Sequence, residues 1–148
     1  MHEARFWEPA PAAKVLCGLC RFRCLIAPGQ RGVCGVRENR DGVLYTLVYG
    51  KSVAEAVDPI EKKPFYHFHP GSRTFSIATV GCNFRCLHCQ NHEISQWPHS
   101  GKPLPGHELP PAQIVSEALA RGCASIAYTY TEPTIFFEYA YDTAVLAH

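Results

Sequence analysis

No apolar run in this 148-residue chain approaches the ~18 residues that a membrane-crossing helix requires. Neither charge dominates: 14 Lys and Arg stand against 13 Asp and Glu, a net charge of +1. That balance excludes a protein held to nucleic acid or an anionic surface by overall charge, although local patches are still allowed. The N-terminus, with Glu3, Trp7, Glu8 and Pro9, lacks both the basic and the apolar region of a secretory signal. There is no internal repeat and no low-complexity tract, so a solenoid is excluded. Gly50-Lys51-Ser52 resembles the end of a phosphate-binding loop, but the upstream glycine is missing. No Ser/His/Asp arrangement or paired-carboxylate signature marks a hydrolase. With 47% hydrophobic and 18% charged residues, the composition is that of a packed domain.

What the chain has in excess is cysteine. Seven of its eight cysteines fall into two groups with metal-type spacing, which fits a reducing cytoplasm better than a secreted disulfide scaffold. Cys82, Cys86 and Cys89 form C-x3-C-x2-C in a loop directly after the apolar run from Phe75 to Val80. Thiolates are soft ligands that select iron–sulfur clusters, zinc or copper. Three on one loop can hold three irons of a cubane and leave the fourth iron open, as a catalytic cluster requires. Zinc sites prefer paired C-x2-C units, which disfavours a zinc knuckle here. Cys17, Cys20, Cys24 and Cys34, at C-x2-C-x3-C-x9-C, make a complete tetrathiolate set among turn-forming glycines. A full set predicts a closed site, structural or electron-transferring, holding zinc or a second iron–sulfur cluster. Arg21, Arg23, Arg31, Arg37 and Arg40 make this segment basic, which reads as charge compensation for thiolates rather than nucleic-acid binding. His67 and His69 share a face in an extended chain and read as surface or packing residues. Cys123 stands alone and reads as a small buried hydrophobe.

In chain order, residues 1–16 show no convincing period and read as a loose lead-in. Residues 42–57 read as β-structure after a turn at Asn39–Gly42, and Asp58–Pro64 as a charged connector. Thr74–Val80 reads as the strand that delivers the cysteine loop. An irregular crossing rich in Pro and Gly follows, from Trp97 to Pro111. A helix is predicted over 111–121, opened by Pro111, closed by Gly122 and buried along Ile114, Val115, Ala118 and Leu119. Ser125–Tyr130 is predicted as a short strand and Thr134 onward as a second helix, with Phe136, Ala140, Thr143 and Ala147 on its apolar stripe. The predicted organisation is a Cys-rich, β-containing module over 1–66 and a second unit over 67–148. Strand, loop, helix repeated twice is the βα alternation of a parallel sheet or barrel, where chemistry collects at the C-terminal ends of strands.

The cysteine loop resembles that of the radical S-adenosylmethionine (radical SAM) superfamily, with His88 in place of the usual aromatic residue. A wider set occurs together: Cys17-x2-Cys20-x3-Cys24, Gly32–Arg37, Tyr49–Lys51, Asp58–Pro64, Gly81–Cys86, Cys89–Asn91 and Thr129–Pro133. That set resembles the radical SAM enzymes of the AmmeMemoRadiSam system, which are pyruvate formate-lyase-activating-enzyme-like. The resemblance implies an α/β fold: the first two βα units of a partial (β/α)6 radical SAM barrel behind the Cys-rich module, hence an N-terminal fragment that would be inactive alone. It implies a cytoplasmic, oxidoreductase-type enzyme in which Cys82, Cys86 and Cys89 ligate a [4Fe–4S] cluster. The reduced cluster would cleave S-adenosylmethionine to methionine and a 5′-deoxyadenosyl radical for hydrogen abstraction, with glycyl-radical activation of a protein as the specific expectation. His88 would lie against the adenine. Glu132, with Thr131 beside it, would hold the methionyl amino group where family members carry Gly-Gly-Glu; here Tyr130 and Thr131 replace the glycines. A low-potential electron donor and partner proteins of the same system are also implied, but neither a membrane nor a nucleic acid. The competing reading is a non-catalytic iron–sulfur or zinc module for electron transfer or structure.

Overall fold

The computed structural model describes residues 1–148. Its N-terminal part is built from short strands: β1 (His2–Glu3), β2 (Trp7–Ala10), β3 (Lys14–Cys17), β4 (Leu25–Ile26), β5 (Arg37–Arg40) and β6 (Val43–Thr46). They form two antiparallel sheets, in the orders β2-β3-β4 and β1-β6-β5. Residues 1–16 are therefore ordered β-structure and not a loose lead-in. The signal was hidden because the turns use left-handed backbone at Phe6, Ala12 and Ala13, where no glycine marks them. The hairpin joining β5 and β6 was legible: Asp41 and Gly42 both have positive φ, and the Gly42 N–H donates to Asn39 Oδ1 at 2.9 Å. Val15, Ile26 and Leu44, with Ala4 and Cys17, close a small core between these sheets.

The rest of the chain continues with β7 (Lys51–Ser52), β8 (Ala54–Pro59), β9 (Arg73–Ala78), α1 (His92–Gln96), β10 (His107–Glu108), α2 (Pro111–Ala120), β11 (Ser125–Tyr128) and α3 (Phe137–Ala147). β7 and β10 pair antiparallel as a small ribbon. β9 and β11 run parallel, from Thr74 opposite Ser125 to Ile77 opposite Tyr128, with α2 in the crossover. Thr74–Ala78 is buried throughout, as expected of a strand flanked by neighbours on both sides. The second neighbour is β8, antiparallel to β9, with Asp58 opposite Thr74. A division at residue 66 therefore cuts through one three-stranded sheet. The larger core crosses it as well: Cys34, Val36 and Val48 pack with Phe75, Ile77, Val80, Ile114, Phe136 and Tyr139. The expected βα pattern is present as one parallel strand pair with a helical crossover; three strands do not close a barrel.

Pro111 opens α2, and Gly122, at φ +62, follows its end. Ile114 and Ala118 are buried as expected, but Leu119 is exposed, so the buried stripe is narrower than the sequence suggests. In α3 the buried positions are Glu138, Tyr139 and Thr143, and Ala147 is exposed. Glu138 is buried because Arg37 reaches it from β5, with Nη2 to Oε1 at 2.7 Å and both side chains fully enclosed. No helix is long and apolar enough to cross a membrane.

Candidate active-site loops and thiol clusters

The cysteine loop begins where β9 ends. Gly81 turns the chain at φ +94, and a Cβ there would stand 2.6 Å from Val36 Cγ1 and 2.9 Å from the Cys34 carbonyl oxygen. Glycine is required on both counts: left-handed backbone and close approach to the N-terminal part. Cys82 is buried, Cys89 half-buried and Cys86 exposed. The Phe84 N–H donates to Cys82 Sγ at 3.3 Å, and the Cys89 N–H closes a turn onto the Cys86 carbonyl at 3.3 Å. Cys89 Sγ lies 3.6 Å from Ser95 Oγ on α1. Arg85 clamps the loop, donating from Nη1 to the Cys82 carbonyl at 3.0 Å and from Nη2 to the Val33 carbonyl at 2.8 Å. Its guanidinium also meets His99 Nε2 at 2.7 Å. Burial, then the Arg85 charge, pushes the His99 imidazole below its ordinary value. His88 is exposed and makes no hydrogen bond.

The loop after β11 meets the cysteine loop's root. The Thr129 N–H extends the parallel ladder to the Ile77 carbonyl at 3.0 Å, and Thr131 Oγ1 donates to the Thr79 carbonyl at 3.0 Å. Thr131 and Cys82 therefore sit at the C-terminal ends of adjacent parallel strands, where α/β enzymes build their sites. Glu132 is half-buried; its Oε1 accepts from the Thr134 N–H at 3.2 Å and from Thr134 Oγ1 at 2.6 Å, which caps the following helical turn. Two residues that lie within the motifs but were given no site role complete this region. Tyr130 has φ +71, and its hydroxyl donates to Asp58 Oδ2 at 3.0 Å. Asn83, buried beside Cys82, has no partner for its Oδ1.

The N-terminal thiols lie at the end of β3, in the turn between β3 and β4, and shortly before β5. Cys17 and Cys34 are buried, and Cys20 and Cys24 half-buried. The Cys17 N–H donates to the Cys24 carbonyl at 2.9 Å, and the Val33 N–H points to Cys24 Sγ at 3.5 Å. Burial pushes the Cys34 thiol up to about 11, opposed by the Val36 N–H and the Arg37 charge. Burial raises Cys17 also, against the Leu19 N–H and the same guanidinium. Arg37 Nε and Nη1 are buried without partners.

No three Cys, His, Asp or Glu side chains stand close enough to grip a single metal ion. The tetrathiolate set is thus not assembled as a single-ion cage. Cys82, Cys86 and Cys89 likewise do not form a single-ion site. The chemistry of the donors, three thiols on one short loop, suits an iron–sulfur cluster. Residues 76–148 match the family model described as the Radical SAM superfamily. That match takes in the end of β9, the cysteine loop and the Thr129–Pro133 loop. The chain is also 50% identical over 147 residues to Uncharacterized protein MJ0808 of Methanocaldococcus jannaschii, covering 99% of this chain and 44% of that protein. The chain thus spans less than half the length of the curated relative it matches. No solved structure matches it.

Proposed function

We propose that this chain carries the cluster-binding portion of a radical SAM enzyme, with Cys82, Cys86 and Cys89 as ligands of a [4Fe–4S] cluster. The observation that carries this reading is the three-thiol loop at the end of a parallel strand, tied through Thr131 and Thr79 to the next strand's loop. When bound, such a cluster supplies the electron for reductive cleavage of S-adenosylmethionine to methionine and a 5′-deoxyadenosyl radical. The chain's own residues do the positioning. Gly81 and Arg85 fix the loop's root against the Cys34 segment, and Ser95 fixes the Cys89 side. Glu132 and Thr131 are the proposed contacts for the methionyl amino group, and the exposed His88 is free to lie on the adenine. Glycyl-radical activation of a protein, a low-potential electron donor and partners of an AmmeMemoRadiSam-type system are the finer parts of this reading, suggested by the motif set.

Cys17, Cys20, Cys24 and Cys34 are proposed as a second metal site, for zinc or an iron–sulfur cluster. Arg37 favours it: a buried cation with unpartnered nitrogens, acting on both Cys17 and Cys34, suits a thiolate centre of net negative charge. Its four thiols would have to close around the metal, as metal-coupled folding allows.

Anaerobic reconstitution of the full-length enzyme with iron and sulfide, followed by reduction in the presence of S-adenosylmethionine, tests the main reading. Alanine at Cys82, Cys86 or Cys89 is expected to abolish 5′-deoxyadenosine formation. Continued cleavage by the triple variant would overturn the reading. Serine at the four N-terminal cysteines is expected to lower total metal content while leaving the iron bound by Cys82, Cys86 and Cys89 in place.

A further inference from the structure

Tyr130 holds a backbone conformation that its side chain disfavours. At φ +71 it lies in the left-handed region, which is unfavourable for a bulky L-residue and a natural place for glycine. Such strain persists only where surrounding contacts over-determine it. Here the contacts are specific. The Tyr130 hydroxyl donates to Asp58 Oδ2 at 3.0 Å, and Lys63 Nζ lies 4.9 Å from the centre of its ring. Asp58 is itself immobilised: Lys62 donates to Oδ1 at 2.7 Å, and Lys63 and Ser76 donate to Oδ2, each at 2.8 Å. Ser76 belongs to β9 and Asp58 to β8, so the anchor is built into the sheet and not the loop. Immediately after Tyr130, Thr131 bonds to Thr79 and Glu132 caps the next turn.

We propose that Asp58, fixed by Lys62, Lys63 and Ser76, latches the Tyr130 hydroxyl and thereby holds the 130–132 loop in its left-handed turn, making Tyr130 and Asp58 positioning residues for Glu132. The latch replaces the freedom of the missing glycines with a tether to the opposite edge strand. Its bearing on cofactor binding rests on Glu132 meeting S-adenosylmethionine as proposed above. The charged segment Asp58–Lys63 then has a task beyond connecting two halves of the chain: its carboxylate sets the angle at which a loop 72 residues further on leaves the sheet.

The test has a ligand-free arm and a ligand arm. In the unliganded protein, Tyr130→Phe and Asp58→Asn are each expected to speed amide hydrogen exchange at Thr131 and Thr134 by about tenfold, the loss of one charge-assisted hydrogen bond. At these two amides the changes together should do no more than either alone, because Asp58 reaches the loop through the Tyr130 hydroxyl. Tyr130→Gly, which accepts φ +71 without strain, should make Asp58→Asn silent at this loop. Unchanged exchange in Tyr130→Phe, or full additivity in the double variant, would overturn the latch. In the full-length, cluster-loaded enzyme, Tyr130→Phe should weaken S-adenosylmethionine binding by about tenfold at unchanged iron content. If exchange responds but this affinity does not, the latch stands and the assignment of Glu132 to the cofactor fails. Should Asp58→Asn fail to fold, Tyr130→Phe and Tyr130→Gly, compared for exchange and thermal midpoint, still decide the matter.

Discussion

Single residues couple the two halves of this chain. Arg37 and Glu138 form a fully buried pair between β5 and α3, in which Glu138 Oε1 also accepts the Arg5 N–H at 2.6 Å. Removing one partner of such a pair strands the other charge, so Glu138→Ala is expected to cost about 3–5 kcal/mol by urea unfolding. Replacing both, Arg37→Met with Glu138→Leu, should recover most of that loss, because the pair's desolvation penalty disappears with it. A double variant no more stable than Glu138→Ala would show that Arg37 is needed for something other than neutralising Glu138. Gly81 is the second such residue. Alanine there adds backbone strain to a clash with Val36 and the Cys34 carbonyl, and should cost about 1–3 kcal/mol. It should also lower the iron retained after reconstitution, measured per folded protein, because the thiol loop starts one residue later.

Among the elements, the anchor formed by β8 and its following turn has a titration signature. Burial alone would raise the Asp58 carboxyl, but hydrogen bonds from Lys62, Lys63, Ser76 and Tyr130 outweigh it and hold the group far below the usual carboxylate range. An unfolded Asp titrates near about 3.9, so the stability from this group is complete at neutral pH and is lost as pH falls through and below that value. Unfolding free energy should therefore drop between about pH 5 and pH 2, and Asp58→Asn should flatten that limb. An equally steep limb in the variant would assign the acid sensitivity to other carboxylates. Little of this was legible in the sequence. The parallel strands β9 and β11, the proline-opened α2 and the three-thiol loop were, because periodicity and spacing are local. The role of β8 was not, because its antiparallel pairing to β9 bridges an excursion over residues 60–72, and its own end falls in the Asp58–Pro64 stretch that reads as a charged connector. Buried Glu138 was equally hidden, since its partner lies 101 residues away. Tyr130 was visible only as an exception to a glycine-rich pattern; its left-handed backbone and its partner needed the fold.

At the scale of the whole molecule, the N-terminal third packs as part of one body and not as an independent metal-binding appendage. Cys34, Val36 and Val48 share a core with Phe75, Ile77 and Val80, the residues that lead into the thiol loop. Arg85 and His99 grip the Cys34 segment from the other side, and a Cβ at Gly35 would meet Pro98 at 2.5 Å. Stripping away residues 1–40 would uncover the apolar face beneath Val80 and leave Glu138 buried without Arg37. Both are heavy penalties in a domain whose net stability is only about 5–15 kcal/mol. We expect a chain lacking residues 1–40 to lose cooperative unfolding and to retain no cluster, even though Cys82, Cys86 and Cys89 are untouched. The comparison is calorimetry and iron content of the deleted and undeleted proteins after identical reconstitution. A sharp transition and full iron loading in the deleted protein would make the N-terminal part a separable module. The packing of Gly81 on Cys34 and Val36 would then be an incidental contact, not what holds the thiol loop in place.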